Sequence, residues 1–122
     1  MLVHKHLIIR AKVKNPPKHV IATEQWFRDL IEKIGMKLLR GPIGAYVDVP
    51  GNKGLTMVAV IETSHIAMHV WDEEDPALMQ LDVYTCGAFD PLIVFEQMEQ
   101  FGITERQFLY LDREVDILEI SL

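Results

Sequence analysis

The run Ser64-His65-Ile66-Ala67-Met68-His69-Val70-Trp71 constrains the fold more than any other part of the chain. Side chains alternate between the two faces of a strand. Read as a strand, it puts Ser64 with Ile66, Met68 and Val70 on one side, and His65, Ala67, His69 and Trp71 on the other. The first side is apolar enough to pack on a core. The second carries two histidines and a tryptophan, as a site or a subunit interface would. Strand-like runs flank it, Leu55 to Thr63 before and Met79 to Thr85 after, with an acidic loop, Asp72-Glu73-Glu74-Asp75-Pro76, between. In the later run Asp82, Tyr84 and Cys86 share a face, which allows Cys86 to point the same way as His69.

The rest of the chain fits around these strands. Leu2 to Val13 is rich in β-branched and apolar residues and is predicted as a strand that Lys14-Asn15-Pro16-Pro17 breaks. Thr23 is placed to cap a helix whose apolar face is Trp26, Phe27, Leu30, Ile31 and Ile34, and Gly35 to end it. Lys37 to Val49 is expected to form one or two short strands interrupted at Gly41-Pro42, followed by a turn over residues 50–54. Asp90-Pro91 is a cap followed by a first-turn proline, opening a helix to about Phe101 with Gly102 as its stop. Phe95 and Met98 belong to its core stripe. Glu105 to Asp112 and Val115 to Ile120 are predicted as final strands. Two helices on one face of a mostly antiparallel sheet make an α+β two-layer sandwich, one domain over residues 1–122.

Composition excludes several classes of function. The 122 residues carry a net charge of −6, against the basic face that nucleic-acid phosphates require. The longest apolar runs are too short to span a membrane, and the N-terminus has no signal-peptide organisation. A single cysteine rules out an internal disulfide framework, and a reducing cytoplasm is the simplest setting. His65 and His69 lie roughly 13 Å apart on a strand, too far to share one metal ion. His4 and His6 are closer but lack a third ligand, so no metal is expected.

Several segments together resemble the short prokaryotic S-adenosylmethionine decarboxylases, a family whose members are made as proenzymes. They are Ser64-His65, His69, Trp71-Asp72-Glu73, and Asp82-Val83-Tyr84-Thr85-Cys86-Gly87. His6-Leu7-Ile8, Gly54-Leu55-Thr56 and Asp90-Pro91 extend the likeness. The chain departs from the family pattern in having Thr63 directly before the serine and Asp72 where the family has proline. Arg10 and Lys12 also stand in a first strand that the family keeps more acidic or neutral.

The resemblance implies self-cleavage between Thr63 and Ser64. Ser64 would form an ester with the Thr63 carbonyl, and His69 would remove the serine α-proton. The cofactor would be a pyruvoyl group derived from Ser64, and Thr56 would assist processing. That group would form a Schiff base with the substrate amine and serve as electron sink. Cys86 would return a proton to the substrate carbon. Glu73 would hold the ribose hydroxyls, and Trp71 would pack or stack at the substrate. The substrate implied is S-adenosylmethionine and the product feeds polyamine synthesis. Family members of this length are homodimers with sites completed by both subunits. Two alternatives stay open from the residues: an uncleaved homologue that binds an adenosyl ligand or a partner subunit, and a pyruvoyl decarboxylase acting on a basic amino acid.

Overall fold

A computed structural model describes residues 3–122. Seven strands and two α-helices follow in the order β1 (Lys5–Val13), α1 (Val20–Lys33), β2 (Leu38–Val47), β3 (Gly54–Ile61), β4 (Ser64–Trp71), β5 (Ala77–Thr85), α2 (Pro91–Met98), β6 (Ile103–Asp112) and β7 (Leu118–Glu119). The strands form one sheet, ordered β2-β3-β4-β5-β1-β6-β7, and every neighbouring pair is antiparallel. This is the expected α+β two-layer sandwich.

Alternation decides which face is covered. Leu7, Ile9, Ala11 and Val13 of β1 are buried, as are Leu55, Met57, Ala59 and Ile61 of β3 and Ile66, Met68 and Val70 of β4. They meet Phe27, Leu30 and Ile31 of α1 and Val94, Phe95 and Met98 of α2 in one core. Each fully buried large apolar side chain there contributes on the order of 1.5–3 kcal/mol. Trp26 joins the two helices, its indole N–H donating to the Gln97 carbonyl at 2.7 Å.

Among the described residues, no layer covers the opposite face. Strand register arranges its side chains in cross-strand rows. One row is Val60, His65, Tyr84, His6 and Leu111; the next is Val58, Ala67, Asp82, Ile8 and Leu109; the third is Thr56, His69, Gln80, Arg10 and Gln107. The middle row is apolar apart from Asp82, and Val58, Ile8 and Leu109 in it are exposed.

Several boundaries differ from the sequence-based expectation. Thr23 does not cap α1. The helix begins four residues earlier with His19 at the N-cap, and Thr23 lies inside its first turn, buried, its hydroxyl donating to the His19 carbonyl at 2.8 Å. That back-bond to the carbonyl four residues earlier competes with a capping role. Gly35, at φ 77°, does follow the helix end. The region after it is a single strand, with register irregularities between Leu38 and Ile43. β3 stops at Ile61, leaving Glu62 and Thr63 as a two-residue turn into β4. The helix from Pro91 is α-helical to Met98 and tightens to a 3₁₀ turn over Glu99–Phe101. β6 starts at Ile103 rather than Glu105, and only Leu118–Glu119 of the last predicted strand pairs. Leu2, the expected start of the first strand, lies outside the described residues.

Candidate active site

Two clusters stand at opposite ends of β4, and each gathers part of the set picked out in the sequence. At the first end, the turn Glu62–Thr63 joins β3 to β4. Three side-chain donors converge on the Glu62 carbonyl oxygen: Thr63 Oγ1 at 2.8 Å, Ser64 Oγ at 3.1 Å and Cys86 Sγ at 3.2 Å. Ser64 opens β4 on the core-facing side and is buried, so its hydroxyl has little water to turn to. Cys86 follows the end of β5. Thr85, fully buried, donates its hydroxyl to the Gly87 carbonyl at 2.6 Å and ties down the turn that presents the cysteine. The hydroxyls of Thr63 and Ser64 beside Cys86 hold its thiol below the ordinary cysteine range, against a small opposing effect of burial and of the Glu62 carboxylate. Both hydroxyls are free to rotate toward the sulfur as it ionises.

At the other end, Thr56 of β3 and His69 of β4 are cross-strand partners, and the Thr56 hydroxyl and His69 Nδ1 share a hydrogen bond of 3.1 Å. The Trp71 ring lies 6.2 Å from that of His69, and its indole N–H donates to Asn52 Oδ1 at 3.0 Å. Glu73 accepts the Lys53 backbone N–H at 3.2 Å. The N–H groups of Gly51 and Lys53 hold its carboxyl below the usual carboxylate range. Gly54 is required where the two strands crowd here. At φ 152° it lies so close to the Val70 carbonyl that an added Cβ would fall 1.6 Å from that oxygen.

The structure therefore unites Ser64 with Cys86, and Thr56 with His69, Trp71 and Glu73, but keeps the two groups apart. Ser64 and His69 sit five residues apart on one straight strand, roughly 16 Å at about 3.3 Å per residue, and on opposite faces. Cys86 does not approach His69 within the chain. His69 is level with Gln80, six residues before Cys86, and the cysteine sulfur turns to Glu62 instead.

Between the two ends lies a polar chain that the sequence reading passed over. Arg113 Nη1 is 3.0 Å from His6 Nδ1, and His6 Nε2 is 2.6 Å from Asp82 Oδ1. A guanidinium only donates, so Nδ1 is the acceptor and Nε2 carries the hydrogen to Asp82. His65 approaches the other Asp82 oxygen at 3.8 Å. Burial pushes the Asp82 carboxyl up, but His6 and His65 outweigh it, and the net shift is downward. The signal was in the alternation, since His6, His65 and Asp82 all have the parity of the open face. Tyr46 was equally unforeseen; its hydroxyl lies 2.9 Å from both oxygens of Asp72, the residue standing in place of the family's proline.

A two-layer α+β domain with a hydroxyl–thiol cluster at one strand end and a hydroxyl–imidazole cluster at the other is a narrow class. Comparison with known proteins names it. The profile of the S-adenosylmethionine decarboxylase family matches residues 13–114. The chain is 30% identical over 87 residues to the S-adenosylmethionine decarboxylase proenzyme of Archaeoglobus fulgidus, covering 71% of this chain and 74% of that protein. It is 40% identical over 75 residues to the proenzyme of Pyrobaculum arsenaticum, covering 60% of this chain and 58% of that one. The crystal structure of the adenosylmethionine decarboxylase of Aquifex aeolicus superposes with a TM-score of 0.68 over 99% of this chain and 97% of that chain, at 20% identity, which speaks for the fold. The chain belongs to the S-adenosylmethionine decarboxylase family.

Proposed function

We propose that this chain is a proenzyme that cleaves itself between Thr63 and Ser64 and then decarboxylates S-adenosylmethionine, supplying the aminopropyl donor for polyamine synthesis. The observation that carries the reading is the convergence of Ser64 and Cys86 on one turn. A pyruvoyl group must come from a residue with a β-hydroxyl and a carbonyl directly before it, and a decarboxylated carbon needs a proton donor. The buried Ser64, the Thr63 carbonyl and the adjacent Cys86 thiol fit that requirement. Once formed, the group supplies the electron sink for loss of carbon dioxide.

The chain's own residues do the rest. Cys86, its thiol held below the ordinary cysteine range by two hydroxyls, would serve as the proton donor. Glu73 presents an exposed carboxylate, fixed by the β2–β3 turn, for the ribose hydroxyls of an adenosyl substrate. Trp71 offers a flat apolar surface beside it. Thr56 orients His69 through their shared hydrogen bond, so that the imidazole can take the serine α-proton during processing.

One chain cannot bring His69 to Ser64, and this is the argument for a homodimer with shared sites. Face-to-face packing of two open sheets about a two-fold axis along the Val58–Ala67–Asp82–Ile8–Leu109 row reverses the strands of the partner. The His65 row of each chain then meets the His69 row of the other. The exposed Val58, Ile8 and Leu109 would be buried at the centre, as a subunit interface requires.

Intact mass under denaturing conditions, followed by release of carbon dioxide from carboxyl-labelled S-adenosylmethionine, tests the proposal. Two fragments divided at Thr63–Ser64, the second with a blocked pyruvoyl end, together with turnover support it. A single full-length mass without turnover supports the uncleaved homologue instead, and turnover of a basic amino acid alone would replace the substrate.

A further inference from the structure

Thr63 is the one non-glycine residue among those described with a positive φ, at 51°. A left-handed backbone costs an ordinary L-residue because Cβ crowds the following carbonyl, and a β-branched side chain makes the conformation a true outlier. The turn itself adds to this. Two-residue hairpin turns prefer a positive φ at their first central residue, which matches the twist of the flanking strands. Here the first central residue, Glu62, has a negative φ and the positive one falls at the second, the position that turns of that kind reserve for glycine.

Such a conformation persists only where its surroundings fix it from several sides. They do so here. Ile61 and Ser64 are paired across the hairpin. The Glu62 N–H donates to the Lys37 carbonyl at 3.1 Å. The Glu62 carbonyl is gripped by the hydroxyls of Thr63 and Ser64 and by the Cys86 thiol. The strained residue is also the one whose carbonyl carbon would be attacked.

We infer that Thr63 is a positioning residue for self-cleavage, holding backbone strain at the scissile bond that the first step releases. The inference rests on the self-cleavage reading above. In that step Ser64 Oγ bonds to the Thr63 carbonyl carbon. The Thr63–Ser64 C–N bond breaks, and the hydroxyl proton ends on the Ser64 nitrogen, leaving an ester and a free amine. The link from the Thr63 carbonyl carbon to Ser64 Cα previously ran through nitrogen alone. It now runs through Oγ and Cβ, one atom longer. That extra atom loosens a turn of two residues and lets Thr63 leave the left-handed region. The β-branch that makes Thr63 a poor turn residue would thereby speed processing.

Cell-free synthesis of the full chain, with fragment masses followed over time, tests this. Thr63→Gly and Thr63→Asn, both at ease at positive φ, should be cut about tenfold more slowly. Thr63→Val keeps the β-branch but loses the hydroxyl bond to the Glu62 carbonyl, and should be cut faster than Thr63→Gly, nearer to the wild-type rate than to the glycine one. A second readout needs no cleavage. With Ser64→Ala present to block it, adding Thr63→Gly should raise the melting temperature by about 3 °C or more. A glycine chain cut as fast as wild type, a valine chain as slow as glycine, or no rise in melting temperature overturns the inference. A wild-type chain that is never cut overturns the self-cleavage reading and the inference with it. A wild-type chain that is cut while the glycine chain keeps pace overturns the inference alone.

Discussion

The two ends of β4 are built differently. The Ser64 end is an over-tied turn in which a backbone carbonyl collects three side-chain donors and a threonine sits at a φ it does not favour. The His69 end is relaxed pairing, with Thr56 and His69 in register and the β2–β3 turn docked on Trp71 and Glu73 through Asn52 and Lys53. In the proposed reaction the first would supply the groups that form or protonate covalent bonds. The second would supply an acid–base group and the contacts to the substrate. On that proposal, bond-making and recognition groups occupy separate ends of one strand, and assembly of two chains would join them.

Substitutions at each end should separate these roles. The largest effect after loss of Ser64 itself belongs to Cys86. In Cys86→Ala turnover should fall by about 10²-fold or more while the Thr63–Ser64 cut persists, as turnover and fragment masses measured side by side would show. Equal loss of both would mean that the thiol belongs to processing. At the opposite end, Glu73→Gln should leave cleavage intact and raise KM for S-adenosylmethionine about tenfold, with kcat changed far less, because a charge-assisted hydrogen bond to substrate is weakened. A fall in kcat at unchanged KM would move Glu73 from recognition to chemistry.

The smallest effect lies between the two ends. Asp82 has a depressed carboxyl pKa in the folded state, so the stability it contributes is present above the unfolded carboxylate pKa of about 3.9 and is lost as pH falls through the folded value. Its side chain is 40% exposed, and solvent screening reduces that contribution to about 0.5 kcal/mol. Denaturant unfolding of Asp82→Asn should show this deficit at pH 7 and none near pH 2. A deficit unchanged at low pH would assign the loss to packing rather than to charge.

The fold was legible because alternation is a local signal. Ile66, Met68 and Val70 report a covered face without any knowledge of what covers it, and Asp90-Pro91 marks a helix start by local chemistry, the Asp90 carboxylate accepting the Leu92 N–H at 3.0 Å. The candidate site residues were legible as a motif. Their grouping was not, since it depends on strand length and register. Residues five apart in sequence read as neighbours, yet an extended strand carries them to separate ends. Thr23 misled for a related reason, because a threonine that bonds backward within a helix looks the same in sequence as one that caps it. The strain at Thr63 was visible only as a departure from the family pattern directly before the serine, since φ is set by the two-residue turn that register imposes.

The most direct test of the shared site uses two defective chains of different mass, one carrying Ser64→Ala and the other His69→Ala, refolded separately and together. Alone, neither should be cut. Together, mixed dimers contain one complete site, with Ser64 from the His69→Ala chain and His69 from the Ser64→Ala chain. The account predicts fragments of the His69→Ala chain only, with decarboxylation of S-adenosylmethionine restored in part. A mixture in which no chain is cut, although mixed dimers form, would contradict it and return the whole site to a single chain.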